Sequence, residues 1–285
     1  MKIAILTDST CDWHLEDYAA HGVTMVPLTV AFGEETFTDQ YELSSEQFYD
    51  KMIASEALPK SSQPSPHAFS RAFERLAAEG YEGAITLHIA PTLSGTMQAA
   101  ELAAQTSPIP VKAFDSRAAS SKLGLLVDKA CELRDAGCDL DEMYDKLVAY
   151  RDASQIVLAT ETLENLVKGG RLPEEQAGQA SLLNIRMLFT LSNENGLVLP
   201  YDKAKGAKGQ IKRCVQFAKD YIDEHGPSVI RIAHARNQGA VDSFVEALKE
   251  TGAEFELTSV DACGCIIATH LGMGAYAIAI APRDM

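Results

Sequence analysis

Three times in its first half, the chain runs an apolar, strand-like stretch straight into a cluster of hydroxyls and aspartate. Ile3-Ala4-Ile5-Leu6 leads into Thr7-Asp8-Ser9-Thr10. Ala84-Ile85-Thr86-Leu87-His88-Ile89 leads into Pro91-Thr92-Leu93-Ser94-Gly95-Thr96, and Val111-Lys112-Ala113-Phe114 into Asp115-Ser116. Helix signals separate these stretches. Strands that alternate with helices need crossover connections, and a sheet built this way is parallel and covered on both faces. Ligands of such open sheets sit outside the carboxyl ends of the strands. Hydroxyl-rich strand ends repeated in this way predict the floor of a polar site.

Local signals fill in the helices. One is expected from about His14 to His21, stopped by Gly22. Ser44 with Gln47 fits a capping box. Ser65-Pro66 reads as an N-cap and first helical residue, after which Phe69, Ala72, Phe73 and Leu76 mark one apolar face. Further helices are expected over about Thr96–Gln105, up to Gly137, and on the stripe Leu140, Met143, Leu147, Tyr150.

A short polar link at 151–155 then marks a boundary. Beyond it strand candidates crowd together, at 156–160, 187–191, 197–201, 229–234, 254–260 and 275–281, with helices at about 206–224 and 239–250. Asn195-Gly196 between two of these strands is a hairpin turn. The expected fold is therefore α/β in two domains. Residues 1–153 form a Rossmann-like, parallel-sheet domain, and 154–285 an α/β domain with a mixed or antiparallel sheet. A chain of 285 residues is long enough for both.

Charge and motif content exclude several functions. The net charge of -15 argues against nucleic-acid binding, which needs clustered cations. The densest basic stretch, Lys203, Lys205, Lys208, Lys212 and Arg213, is either a solvated face or a local anchor for an anion. No apolar run approaches the ~20 residues that span a bilayer. The N-terminus lacks signal-peptide character, so the expected compartment is the cytoplasm. The six cysteines form no disulfide framework, and Cys263-Gly264-Cys265 has the wrong spacing for a zinc knuckle or a thioredoxin motif. No metal site and no cofactor are expected. Gly272-x-Gly274-x-x-Ala277 lacks the following strand and acidic residue of a dinucleotide fold. Ser94 lacks the glycine of a nucleophile elbow, because Thr92 occupies that position.

Four segments remain as candidates. Lys60-Ser61-Ser62-Gln63-Pro64-Ser65 is read as a Pro-punctuated loop before a helix. Capping accounts for Ser65 but not for the adjacent Ser61 and Ser62. Leu93-Ser94-Gly95-Thr96 opens a helix whose N-terminus favours an anion, with Gly95 admitting a ligand to the backbone and Ser94 as a possible N-cap. In Lys168-Gly169-Gly170-Arg171 the glycines read as a helix C-cap. Arg171 then either pairs with Glu164 or Glu174, or grips an anion. His270 lies between Thr269 and a Gly-x-Gly turn, as a core histidine or as a site group.

Taken in order, these motifs resemble the DegV family, the fatty-acid-binding subunits of bacterial fatty acid kinase, with its EDD fold. Thr7-Asp8-Ser9 resembles the family's N-terminal signature. Val26-Pro27-Leu28 and Asp39 fall at a family strand and acidic loop, and Ser61-Ser62-Gln63-Pro64-Ser65 is similar to Thr-Ser-Gln-Pro-Ser. Leu93-Ser94-Gly95-Thr96 matches unchanged. Leu163-Glu164-Asn165-Leu166 through Gly169-Gly170-Arg171 resembles Leu-Glu-Tyr-Leu…Gly-Gly-Arg. Leu183-Asn184-Ile185-Arg186 and Thr269-His270-x-Gly272-x-Gly274 match family motifs that carry a proline this chain lacks.

The resemblance implies a carrier, not a self-sufficient enzyme. A long-chain fatty acid would lie between the domains, its carboxylate held by Ser61, Ser62, Ser94, Gly95 and Thr96. A separate ATP-dependent kinase subunit would phosphorylate that carboxylate, with Arg171, His270 and Lys205 steadying the phosphate. Lys203-Ala204-Lys205 stands where the family often has Lys-x-Arg, and lysine lacks the guanidinium fork. The alternative is a small hydrolase or acyltransferase using Ser94 with His270.

Overall fold

A computed structural model describes residues 1–177 and 185–285. The chain opens with β1 (Ile3–Asp8), a 3-10 turn (Ser9–Cys11), α1 (Leu15–Ala20) and β2 (Val23–Val26). A hairpin, β3 (Thr29–Phe32) and β4 (Glu35–Thr38), leads to α2 (Ser45–Ala54) and β5 (Lys60–Ser62). Then come α3 (Pro66–Ala78), β6 (Gly83–His88), α4 (Thr96–Ala104), β7 (Val111–Asp115), α5 (Ser120–Asp135) and α6 (Leu140–Ala153). The second half holds β8 (Gln155–Ala159), α7 (Glu164–Lys168), α8 (Glu174–Ala177), β9 (Ile185–Leu191), β10 (Val198–Lys205) and α9 (Gly206–His225). It ends with β11 (Ser228–His234), α10 (Gln238–Glu250), β12 (Phe255–Ala262), α11 (Cys265–Leu271) and β13 (Tyr276–Pro282). Leu183 and Asn184 of the motif named above lie outside the described residues.

The expected α/β architecture is present. In the first half, four strands pair in parallel in the order β2-β1-β6-β7. The second half builds a six-stranded mixed sheet, β10-β9-β8-β13-β11-β12, parallel only at β11–β12. The strand-buried faces follow from composition: every residue of β1 and β6 is buried, as a parallel sheet under helices requires. Local chemistry sets the helix starts. Ser44 and Gln47 close a capping box, and Ser65 accepts from Ala68 N–H ahead of Pro66. The β9–β10 hairpin turns at Gly196, whose φ of 76° suits glycine.

One element corrects the sequence reading. The segment Lys60–Ser62, read as loop, is a strand: β5 pairs antiparallel with β3, and β4-β3-β5 forms a small third sheet. This flap packs against α11 through β3 and β5. Tyr49 Oη of α2 ties it down, donating 2.6 Å to the Cys263 carbonyl.

All strands of the parallel sheet precede Ser154 and all those of the mixed sheet follow it. α5 packs against both, through β1 and β6 on one side and β11 and β13 on the other. The largest apolar cluster is accordingly continuous across the halves. It joins Ile5, Phe48 and Leu126 to Ile156, Phe189 and Ala279.

Candidate functional site

The three hydroxyl-rich strand ends meet different fates. At the end of β1, Asp8 is fully buried and accepts from Thr10 N–H (2.9 Å), Thr10 Oγ1 (2.5 Å) and Ile89 N–H (3.0 Å). Its Oδ2 also lies 3.0 Å from His88 Nδ1, and His88 Nε2 meets Thr86 Oγ1. Ser9 Oγ accepts from Leu28 N–H. At the end of β7, Ser116 Oγ donates to the His88 carbonyl and accepts from Ala118 N–H, while Asp115 accepts from Arg117 N–H. At both ends most polar groups are bonded internally, Thr7 Oγ1 excepted. Among the described residues, the hydroxyl-rich segment after β6 lines a cavity with Leu93, Ser94 and Gly95, joined by Ser120 from the segment after β7.

That cavity holds about 350 Å³ and is lined from both halves of the chain. Its walls are largely apolar, with Leu28 from the flap, Leu158 and Leu191 from β8 and β9, and Ile266 and Ile267 from α11. Ligand pockets of roughly 300–1,000 Å³ with apolar walls and a few convergent polar groups are the usual small-molecule sites. Here the polar groups are Ser61, Ser62, Gln63, Ser94, Arg171 and His270, with Ser120 in addition. A second cavity, of about 460 Å³, lies beside Trp13 and Arg231. Its buried Arg231 is already paired with Asp128 (3.0 Å) and Asp261 (2.8 Å).

Each polar group is placed by a local device. The β3–β5 register brings Ser61 opposite Val30 and sends its Oγ to 2.8 Å from His270 Nε2. Gly95, not Ser94, is the N-cap of α4, so Ser94 Oγ is free to meet Thr96 Oγ1 at 2.9 Å. Gln63 Nε2 donates to the Gly95 carbonyl at 3.2 Å, so close that any Cβ on Gly95 would collide with the Gln63 amide.

Arg171 is set by the end of α7. Gly170, at φ 72°, donates to the Val167 carbonyl and Arg171 N–H to the Leu166 carbonyl, which is a Schellman cap. Of the two alternatives for Arg171, pairing with Glu164 or Glu174 does not form; Glu164 takes Lys168 at 2.5 Å. The guanidinium donates instead to the Leu93 carbonyl (2.9 and 3.2 Å) and to the Gly169 carbonyl. Among the described residues no carboxylate neutralises it.

His270 closes this end. Burial, reinforced by the Arg171 charge, pushes its pKa down to about 4, so it is neutral at pH 7. Its Nδ1 is buried without a partner among the described residues. Gly169 packs against the ring at a distance that leaves no room for a Cβ. Asn165, from the same short helix, steadies the last turn of α11 by donating 2.9 Å to the Thr269 carbonyl.

The structure thus brings together Ser61, Ser62, Ser94, Gly95, Arg171 and His270 around one cavity. Thr96 stands just behind, fully buried, bonded to Ser94. Lys205 does not join them. It is exposed at the end of β10, the edge strand, in a separate groove with Lys203, Lys212 and Arg213. Edge-strand alternation turns its side chain to solvent. Two features escaped the sequence reading. Ser120 lines the cavity from a strained backbone (φ 54°) and donates 2.5 Å to buried Asp12. Leu191 and Val198 come from the two arms of the Asn195-Gly196 hairpin. Among the described residues no group of His, Cys, Asp and Glu could hold a metal ion. No described helix is long and apolar enough to cross a membrane.

Comparison with known proteins places this geometry in a family. A DegV domain-containing protein of Streptococcus pyogenes serotype M3 is 31% identical over 284 residues, covering 99% of this chain and 100% of the relative. A solved DegV family protein from Thermus thermophilus, described by its fatty acid binding, superposes with a TM-score of 0.91 at 31% identity, over 99% of this chain and 100% of that one. DegV from Bacillus subtilis, described as a fatty acid binding protein, gives 0.88 at 28% identity, over 99% and 100%. The profile of the DegV family, described as uncharacterised protein, matches residues 2–283, and the chain belongs to that family.

Proposed function

We propose that this protein binds a long-chain fatty acid between its two lobes, 1–153 and 154–285, and presents the carboxylate to a separate ATP-dependent kinase subunit. One observation carries the reading. A largely apolar cavity ends in a cluster of hydroxyls and neutral imidazole, beside an arginine that has no carboxylate partner among the described residues. The apolar length matches a tail: each CH₂ taken out of water contributes about 0.8 kcal/mol. The polar end matches an acid. Ser61 and Ser94 each carry a hydroxyl proton, Ser62 and the backbone at Gly95 and Thr96 flank them, and Arg171 supplies the positive field.

In the kinase step, a carboxylate oxygen attacks the γ-phosphorus of ATP, the bond to the β,γ-bridging oxygen breaks, and acyl phosphate and ADP form. In this reading Arg171 and His270 steady the charge that builds on the transferred group. Lys205, facing another groove, is left out of this assignment. The protein has no further cofactor in this scheme and works in the cytoplasm.

The hydrolase alternative fares worse. The His270 ring meets Ser61 and not Ser94, no carboxylate among the described residues orients its Nδ1, and a pKa of about 4 makes it a weak base. Native mass spectrometry of protein purified from a bacterial host tests the carrier reading. A co-purified mass of a C16–C18 acid is expected, together with its conversion to acyl phosphate when a kinase subunit and ATP are added. Protein that is free of lipid and hydrolyses p-nitrophenyl esters in a Ser61-dependent way would overturn it.

A further inference from the structure

Two buried carboxylates stand at the start of α11 with no cationic side chain bonded to them among the described residues. Asp12, 2% exposed, accepts from Gly264 N–H (2.9 Å) and from Ser120 Oγ (2.5 Å). Asp39, fully buried, accepts from Cys265 N–H (3.2 Å), and its second oxygen has no partner among the described residues. Asp39 belongs to the flap. Its own N–H donates to the Leu28 carbonyl, and it bridges to Leu43, whose carbonyl also takes the Cys265 thiol at 3.5 Å. The flap and α11 are therefore joined at two places. One is Asp39 on Cys265, at the start of the helix. The other is Ser61 on His270, about 8 Å further along the helix axis at 1.5 Å per residue.

We infer that Asp39, with Asp12 beside it, is a positioning residue for the proposed site: it seats α11 against the flap and so sets the Ser61–His270 contact at the head of the cavity. The inference rests on the reading of that cavity as a fatty acid site. An ionised Asp39 caps the helix with a charge-assisted bond and suits its N-terminal dipole. A protonated Asp39 caps it less well. The groups facing it are Asp8 and Ser9 at the end of β1, Asp12 after the 3-10 turn, and Cys265 on α11; Asp261 of β12 faces Asp12 in turn. Burial is the main cause that pushes the Asp39 carboxyl up to about 6, with Asp8 adding to it. The switch between the two states thus falls close to neutral pH. Because the carboxyl is raised by folding, its contribution to stability is fullest below the ordinary value near 4 and is lost as pH rises through about 6. The fold pays for the ionised form, as expected of a group kept for positioning.

The experiment measures the dissociation rate of cis-parinaric acid, a fluorescent polyene acid, from wild-type and Asp39→Asn protein between pH 7.5 and 5. Titration of the ligand itself is common to both proteins, so their difference isolates Asp39. Wild type should release the acid about fivefold faster as pH falls through 6, the factor given by a lost helix cap. Asp39→Asn should lack that step and release quickly throughout, while melting at a higher temperature than wild type at pH 7.5. Asp39→Asn with the wild-type step and rates would overturn the inference. So would Asp39→Asn that fails to fold, which would make Asp39 a structural residue only. A wild-type protein that binds no parinaric acid would instead refute the fatty acid reading itself.

Discussion

The ends of β1 and β6 lie side by side in one sheet and carry the same chemistry, hydroxyls with a histidine close by. They behave as opposites. At β1, Asp8 gathers Thr10, His88 and the Ile89 amide into a buried network. At β6, Ser94 and the Arg171 guanidinium that grips Leu93 face a cavity, and His270, which also lines it, holds a ring nitrogen with no partner among the described residues. The lesson is that hydroxyl density at a strand end does not make a site. Polar groups that are satisfied by one another hold a fold together; polar groups left incomplete beside an apolar void await a ligand.

Substitutions sharpen this contrast, and the largest effect belongs to the closed network. Asp8→Ala strands three donors in the core and should cost about 4 kcal/mol in urea unfolding, with unsatisfied buried donors at ~1–3 kcal/mol each. A loss below ~1 kcal/mol would break the comparison. In the cavity, Ala119→Phe places a ring where the tail should lie; fatty acid affinity should fall more than tenfold, read by parinaric acid titration, with melting nearly unchanged. Ser94→Ala should weaken binding by about tenfold, the loss of one hydrogen bond to a charged group, while changing stability by less than ~1 kcal/mol. A smaller effect is expected from pH. Because folding holds His270 at about 4, below its ordinary 6.5, its contribution to stability is present above 6.5 and declines as pH falls toward 4. His270→Asn should flatten that acid limb in unfolding titrations. Lys205→Ala, on the far groove, should leave fatty acid affinity unchanged.

Much of this was legible because it is local. The capping box at Ser44, the Ser65-Pro66 start, the Asn195-Gly196 turn and the Gly170 stop each depend on a few neighbouring residues. The flap was not legible. β5 has three residues, and its partner β3 lies some thirty residues earlier, so no periodicity marks it. The same nonlocality hid Ser120, whose role depends on Asp12 and on a left-handed backbone. It also misplaced Lys205, since charge in a basic stretch does not reveal which face of an edge strand it occupies. Ser61 and His270, 209 residues apart, were each picked out from their own surroundings, but their contact depends on how the flap lies over α11.

A crystal structure of the protein grown with palmitic acid tests the central claim most directly. The account predicts continuous density from a carboxylate beside Ser61, Ser94 and Arg171 into the void lined by Leu158, Leu191 and Ile267. Density running the other way, with the carboxylate at the apolar end, or a ligand lodged instead beside Trp13 and Arg231, would contradict it.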